Sequence, residues 1–337
     1  MNIAIYTECP TEFYFRNLRE LEKSKLIKIK IYDSRIARTA YHNPFRAIKH
    51  LFNPIRLLFH KKIIINFAPY SWAVFYFLIL KLLKKDLIFF TSWPYWEENV
   101  KVPRVRFPFD RKLWKIFLKN IKIVVLNNET KLALEKFEDN KNIFIIPHGV
   151  DTQLFKPIKK SKSKKVRILF VGRLIKEKGI NLVLELAEYF KEKAEFVIIG
   201  DGPEKEKVKN NKFIKYLGSI NNESKLAFQN GISDISINTS YKIDKWEEWF
   251  GLTVIEAMSS GLPVISSNCI GPRQIISDNK DGFIVEQKNL NEFKSKLSKL
   301  IDNPNLRKSF SLAARKKALN YDISKLSKEW LKVLKSI

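Results

Sequence analysis

Residues 167–179 read RILFVGRLIKEKG, and this stretch decides the fold class. Arg167–Val171 is a mostly apolar run of strand length that ends at Gly172, where the backbone can turn close to a neighbour. Arg173 and Leu174 follow, then Lys176-Glu177-Lys178-Gly179, and Ile180–Lys191 carries helical spacing. The same rhythm recurs along the chain. We read earlier strands at Ile3–Tyr6, Ile27–Tyr32, Ile63–Asn66, Leu87–Thr91, Ile123–Leu126 and Ile143–Ile146, and later ones at Phe196–Ile199, Phe213–Leu217, Ile235–Asn238, Pro263–Ser266 and Phe283–Val285. Helical patterns lie between most of them, at Ser71–Lys84, Glu129–Phe137, Ser224–Asn230, Thr253–Ser259 and Leu290–Ile301. Strands alternating with helices predict an α/β protein with parallel sheets covered on both faces. The Lys- and Ser-rich stretch Lys156–Lys165 separates two such series and reads as a linker. Two doubly wound, Rossmann-like domains facing across a cleft are expected, with ligands at the carboxyl ends of the strands.

The composition suits this. The 337 residues are enough for two domains, and 25 phenylalanines argue against disorder. Lys and Arg number 62 against 35 Asp and Glu, a net charge of +27 spread over both halves. Such a chain seeks anionic partners: nucleic acid, an acidic membrane surface or a phosphorylated substrate. Two cysteines, Cys9 and Cys269, exclude a disulfide framework and fit a reducing compartment. The first residues, MNIAIYTE, carry no basic run ahead of an apolar one, so no signal peptide is expected and a cytoplasmic location is. The apolar segment Ile63–Leu80 is divided by Asn66, Pro69 and Ser71, and reads as a strand followed by a helix, not as a membrane span.

Several motifs carry chemistry. Gly172, Arg173 and Lys178 place a strand end, two cations and a helix start together, which suits a diphosphate, although a plain turn with two solvated charges has the same pattern. Ile199-Gly200-Asp201-Gly202-Pro203 is a second glycine turn, weak by itself. In Glu247-Glu248-Trp249-Phe250-Gly251-Leu252-Thr253-Val254-Ile255-Glu256, two carboxylates flank the amides of a helix start. Carboxylates accept from sugar hydroxyls, and free helix-start amides donate to ligand oxygens.

In order and spacing these pieces, with Ser260-Gly261-Leu262-Pro263-Val264-Ile265 and Gly271-Pro272-Arg273-Gln274, resemble the second domain of GT-B glycosyltransferases, specifically the retaining glycosyltransferase family 4. Ile146-Pro147-His148-Gly149-Val150-Asp151 looks like the crossover that opens that domain. The resemblance implies residues 1–150 as an acceptor-binding domain, 151–321 as a nucleotide-sugar domain, and a helix over 322–337 packing back on the first. It implies a retaining hexosyl transfer from a nucleotide-diphosphate sugar to a hydroxyl on a glycan or lipid-linked acceptor, with no metal and no cofactor. Arg173, Lys178 and Glu248 would be the catalytic residues, the cations holding the diphosphate and Glu248 the donor sugar. Gly172, Leu217, Phe250, Gly251, Leu252 and Glu256 would complete the donor site, Glu256 on the ribose and Leu217 near the base.

The first half departs from the family pattern. The loop Glu8–Phe13 lacks the usual glycine pair, Gln274 stands where a glutamate is common, and Ser92, followed by Trp93, stands where a histidine would face the acceptor. An inactive scaffold of the same fold is therefore one alternative. A basic nucleic-acid-binding protein is the other, although no nucleic-acid-reading motif is present and no nucleic-acid partner is expected. All four histidines lie elsewhere than the position of Ser92, His148 within the crossover motif, and His42, His50 and His60 are expected at the surface. Residues 44–62 (PFRAIKHLFNPIRLLFHKK) and 111–119 (RKLWKIFLK) read as basic amphipathic helices, which suit a peripheral site on the inner face of an anionic membrane. Each also fits a helix packed on the sheet with a solvated basic face.

Overall fold

The computed structural model describes residues 1–9, 12–34, 50–96, 108–160, 163–244 and 246–336. Two compact units emerge, Met1–Gly149 with Ile323–Ile337, and Val150–Asp322. Each holds one six-stranded sheet. Among the segments predicted as basic helices, residues 44–49, with Phe45, Arg46, Ile48 and Lys49, lie outside the described residues, as does His42.

In unit 1, β1 (Asn2–Thr7), α1 (Arg16–Lys23), β2 (Lys28–Asp33), α2 (Asn53–Leu57), β3 (Lys62–Asn66), α3 (Val74–Leu82), β4 (Asp86–Thr91), α4 (Asp110–Leu118), β5 (Lys122–Val125), α5 (Asn128–Phe137) and β6 (Ile143–Ile145) follow in chain order. The strand order is β2-β1-β3-β4-β5-β6 and every pairing is parallel, with Ile3 opposite Ile29 and Ile64 opposite Ile88. Strands buried on both faces need unbroken apolar runs, which is why they were legible as blocks of Ile, Val and Phe. Right-handed crossovers put α1 on one face of this sheet and α2 to α5 on the other.

Beneath α3 and α4 lies an aromatic core: Phe89 and Trp114 are 5.5 Å apart between ring centroids, Phe77 and Phe117 5.3 Å, Trp96 and Phe137 5.1 Å. This corrects part of the reading of residues 111–119. Trp114, Phe117 and Leu118 are fully buried, so that helix spends its aromatic side chains on the core and presents lysines outward. Two of the expected surface histidines are hydrogen-bonded and only partly exposed: His60 to the Tyr32 hydroxyl (2.8 Å) and His50 to the Asp33 carbonyl (3.0 Å).

Unit 2 runs β7 (Val166–Val171), α6 (Ile180–Tyr189), β8 (Ala194–Ile199), α7 (Lys205–Lys209), β9 (Ile214–Tyr216), α8 (Glu223–Ile232), β10 (Ile235–Asn238), α9 (Leu252–Ser259), β11 (Val264–Ser267), α10 (Ile270–Ile275), β12 (Gly282–Val285), α11 (Leu290–Asp302) and α12 (Pro304–Ala318). Its sheet order is β12-β11-β10-β7-β8-β9, again parallel. The reversal beside β7 is a topological switch point, where open sheets of this kind leave a crevice at the strand carboxyl ends.

The division between units falls at Gly149, ahead of the lysine-rich stretch read as a linker. Arg315 accounts for this: its guanidinium donates to the carbonyls of Thr152 (2.9 Å), Phe155 (2.9 Å) and Ser259 (2.6 Å) and stitches residues 152–155 onto unit 2. The last helix, α13 (Ile323–Lys335), returns to unit 1 and packs on α1. Ser327 Oγ donates to the Asn17 carbonyl (2.7 Å), and Trp330 lies edge-on to Phe90 at 5.3 Å.

Candidate donor site in the second unit

All nine residues proposed for the donor fall in unit 2, after the carboxyl ends of its strands or on α9. Two loops build the floor. After β7, the Gly172 amide donates to the Ile199 carbonyl (3.0 Å) and the Leu174 amide to the Asp201 carbonyl (2.8 Å). After β8, Gly200 and Gly202 have φ of +155° and +152°. A Cβ at Gly200 would sit 1.8 Å from the Gly172 carbonyl oxygen, and one at Gly202 2.5 Å from that of Leu174. The second glycine turn is therefore required by backbone-to-backbone contact and fixes where Arg173 leaves the sheet.

Lys178 is set by β10, the other neighbour of β7. Thr239, just past β10, donates its hydroxyl to the Lys178 carbonyl (2.7 Å). Gly179 takes the left-handed conformation (φ +71°), and a Cβ there would meet the Thr239 carbonyl oxygen at 2.2 Å. From this clamp the Lys178 ammonium pairs with the Glu248 carboxylate, with side-chain exposures of only 12% and 16%. Ser240 Oγ donates to the same carboxylate oxygen (3.2 Å), and the Trp246 ring lies 5.4 Å from the ammonium.

The adjacent glutamates divide their work. Glu247 is buried and accepts from the Ile270 amide (2.9 Å), closing the start of α10. Glu248 faces Lys178, while its own carbonyl accepts from the Gly271 amide (2.8 Å). A Cβ on Gly271 would lie 2.3 Å from the Phe250 backbone, so only glycine lets α10 come against the loop that leads into α9. Gly251 opens α9 with φ +93°, and the Leu252 and Thr253 amides donate to no atom among the described residues. Glu256 stands in the second turn of α9 and is 5% exposed. Leu217 donates its amide to the Ile198 carbonyl (3.0 Å), which holds it beside the glycine turn.

The Arg173 side chain is exposed and makes no hydrogen bond or ion pair among the described residues, while its carbonyl accepts from the Ile175 amide (3.0 Å). A planar fork of five donors is thus open just past the end of β7, in the loop whose Lys178 forms a Lys–Glu pair largely withdrawn from water.

Residues 151–317 match the family model described as glycosyl transferases group 1. They are a group 1 glycosyl transferase domain. An uncharacterized glycosyltransferase of Haemophilus influenzae is 32% identical over 222 residues, 63% of this chain and 61% of that protein, so the chain spans about three fifths of that relative. The N,N'-diacetylbacillosaminyl-diphospho-undecaprenol alpha-1,3-N-acetylgalactosaminyltransferase of Campylobacter jejuni is 26% identical over 98% of this chain and 90% of its own. Among solved structures, sucrose-phosphate synthase from Thermosynechococcus elongatus superimposes with a TM-score of 0.77 at 14% identity, covering 100% of this chain and 98% of that one. That likeness is one of fold, the GT-B type with two doubly wound units.

The group 1 domain contains none of the residues assigned to the acceptor side. Ser92 and Trp93 follow β4 in unit 1 and are both 7% exposed. The Ser92 hydroxyl is hydrogen-bonded to that of Tyr14, and Trp93 Nε1 donates to the Tyr95 carbonyl (2.6 Å). Burial pushes the Tyr14 phenol up to about 12. His148 lies 5.2 Å from the Tyr14 ring, and burial beside Arg16 pulls its imidazole down to about 3, so it stays neutral. Sequence reading missed Thr239, Ser240 and Trp246, because sheet order alone brings β10 to the Lys178 loop.

Proposed function

We propose that this protein transfers a sugar, with retention and without a metal, from a nucleotide-diphosphate donor to a hydroxyl of a lipid-linked or cell-surface glycan precursor. The observation that carries the reading is the bare Arg173 guanidinium past the end of β7, in the same loop as the Lys178 of the Lys178–Glu248 pair, in a group 1 domain. A diphosphate brings two or more negative charges, and Arg173 and Lys178 stabilise them best as the phosphate becomes the leaving group. The paired state of Lys178 implies that the donor competes with Glu248 for the ammonium. Once released, the Glu248 carboxylate can accept from sugar hydroxyls, so one exchange prepares both halves of the donor site. The Leu252 and Thr253 amides offer donors to ligand oxygens, Glu256 an acceptor for ribose hydroxyls, and the backbone near Leu217 an edge for the base. Relatives whose names include diphospho-undecaprenol support a lipid-linked acceptor. On that reading the protein works at the periphery of an anionic membrane, and Ser92 and Trp93 lie toward the acceptor.

The test is a screen of UDP-, GDP- and ADP-sugars for thermal stabilisation and donor hydrolysis, with Glu256→Ala beside the wild type. Stabilisation by one donor, lost in the variant, is expected and names the base. A wild type that binds one donor yet neither hydrolyses nor transfers its sugar would favour the inactive scaffold, and no response to any donor would sink the reading of this site.

A further inference from the structure

Apart from Lys81 and the Tyr76 hydroxyl, helix α3 carries only apolar side chains, on its outer face as well as its inner one. Its inner positions Val74, Phe77 and Leu80 are fully buried under the sheet core. On the opposite side, Trp72, Phe75, Ile79 and Leu82 recur at helical spacing with exposures of 61%, 45%, 50% and 81%. A helix that is hydrophobic all round belongs in a core or against lipid, and this one has only half of such a surrounding. The neighbouring segment adds to the surface: Ile55 and Phe59 are 55% and 85% exposed, and the Tyr76 hydroxyl of α3 donates to the Pro54 carbonyl of α2, which holds the two helices side by side. Ten of the 21 large apolar side chains exposed among the described residues lie between positions 51 and 83. Monomers scatter such residues singly, and a concentration of this kind marks a contact.

Charge says what the contact is with. No Asp or Glu occurs in the sequence between Asp33 and Asp86. Arg56, Lys61 and Lys84 are exposed around the apolar stripe, and α4, which Lys81 ties to α3 through the Phe117 carbonyl (3.0 Å), adds Lys112 and Lys115, with Lys119 just after it. A second copy of the chain seated on the same face would bring these cations against one another. A lipid surface carrying anionic headgroups meets both features at once, the apolar stripe entering the acyl boundary and the lysines reaching phosphates.

We propose that the outer face of α3, with the exposed residues around α2, inserts into the headgroup region of an anionic bilayer and docks unit 1 there. This rests on the peripheral membrane reading above and assigns it a surface. The assignment falls on the helix of the apolar segment Ile63–Leu80, read above as a strand and a helix and not as a membrane span. Trp72 sits at the end of α3 nearer the carboxyl ends of β3 and β4, the edge from which Ser92 and Trp93 follow. A lipid-linked acceptor held by the same bilayer would then reach the end of the sheet where the acceptor residues lie.

The full chain is floated with vesicles of phosphatidylcholine alone and of phosphatidylcholine mixed with phosphatidylglycerol, without donor or acceptor. Wild type is expected to float with the mixed vesicles, less so as salt rises, and to show a blue shift in tryptophan emission that Trp72→Phe removes. Leu82→Glu with Phe59→Glu should lower partitioning about tenfold or more while leaving nucleotide binding unchanged. Leu82→Gln with Phe59→Ser serves if the acidic pair disturbs folding. Flotation of both pairs like wild type, or no flotation of wild type, would overturn the proposal. So would a wild-type dimer in sedimentation that the substitutions dissociate. Because the vesicles hold neither substrate, failure here leaves the transferase reading standing, and failure of the donor screen leaves vesicle binding standing.

Discussion

Arg173→Ala separates binding from folding more cleanly than any other change in the site. The side chain is exposed and bonded to nothing described, so its removal should alter unfolding free energy by no more than about 0.5 kcal/mol. Against a diphosphate the same guanidinium would supply charge-assisted hydrogen bonds, whose loss costs about 1.5–3 kcal/mol and weakens binding roughly 10- to 150-fold. Lys178→Ala provides the contrast. It strands the Glu248 carboxylate at 16% exposure, a change that costs up to about 3 kcal/mol when a largely buried pair loses one partner. Calorimetric titration with UDP, GDP and ADP, alongside thermal melts of both variants, reads the two quantities separately. The expected pattern is a stable Arg173→Ala with weak nucleotide binding and a less stable Lys178→Ala that also binds weakly. An Arg173→Ala protein that melts early, or that binds every nucleotide like wild type, would refute the reasoning.

Other consequences are equally direct. Gly179→Ala must leave the left-handed region and push a Cβ off the Thr239 carbonyl, so melts should show a loss of at least about 2 kcal/mol together with weaker donor binding. Gly271→Ala drives α10 from the Phe250 backbone, and nucleotide affinity should fall more than in Arg173→Ala because the loop bearing Glu248 moves with it. His148 stays neutral in the folded protein down to about 3, whereas the unfolded chain takes up its proton near 6.5. Stability should therefore fall as pH drops below 6.5, by up to about 1.4 kcal/mol per unit, and denaturation curves of His148→Gln should lack that contribution above the carboxylate range. Burial pushes the Cys269 thiol up to about 11, so iodoacetamide at neutral pH should spare it in the native protein and label it after denaturation.

The strands were legible because a parallel sheet needs apolar blocks, and Ile63–Asn66 or Arg167–Val171 fit nothing else at that length. The glycines of the site were legible as turns, but not their reasons: only the sheet order shows that Gly200 meets the Gly172 backbone and that Gly179 meets Thr239. The pairing of Lys178 with Glu248 spans 70 residues and no local pattern announces it. Two adjacent glutamates look alike in sequence, yet Glu247 closes a helix start while Glu248 faces the ammonium. Helix α3 was legible as a helix, but its exposed face was not. Apart from Lys81 and the Tyr76 hydroxyl its residues are apolar, and the sequence offers no means of telling a helix covered on both sides from one covered on one.

The return of α13 to unit 1 has a consequence for the order of folding. Unit 2 is one continuous stretch, Val150–Asp322, and possesses all its elements once that stretch is made. Unit 1 does not: Asn17 on α1 and the Phe90 ring find partners in Ser327 and Trp330, which lie after the whole of unit 2 in the chain. During synthesis the earlier-made unit must therefore wait, with one face of its sheet incompletely covered, while the later one closes. Truncation before Ile323 should damage the part of the protein farthest from the cut in sequence, and a chaperone that recognises bare apolar surface would find its substrate in unit 1.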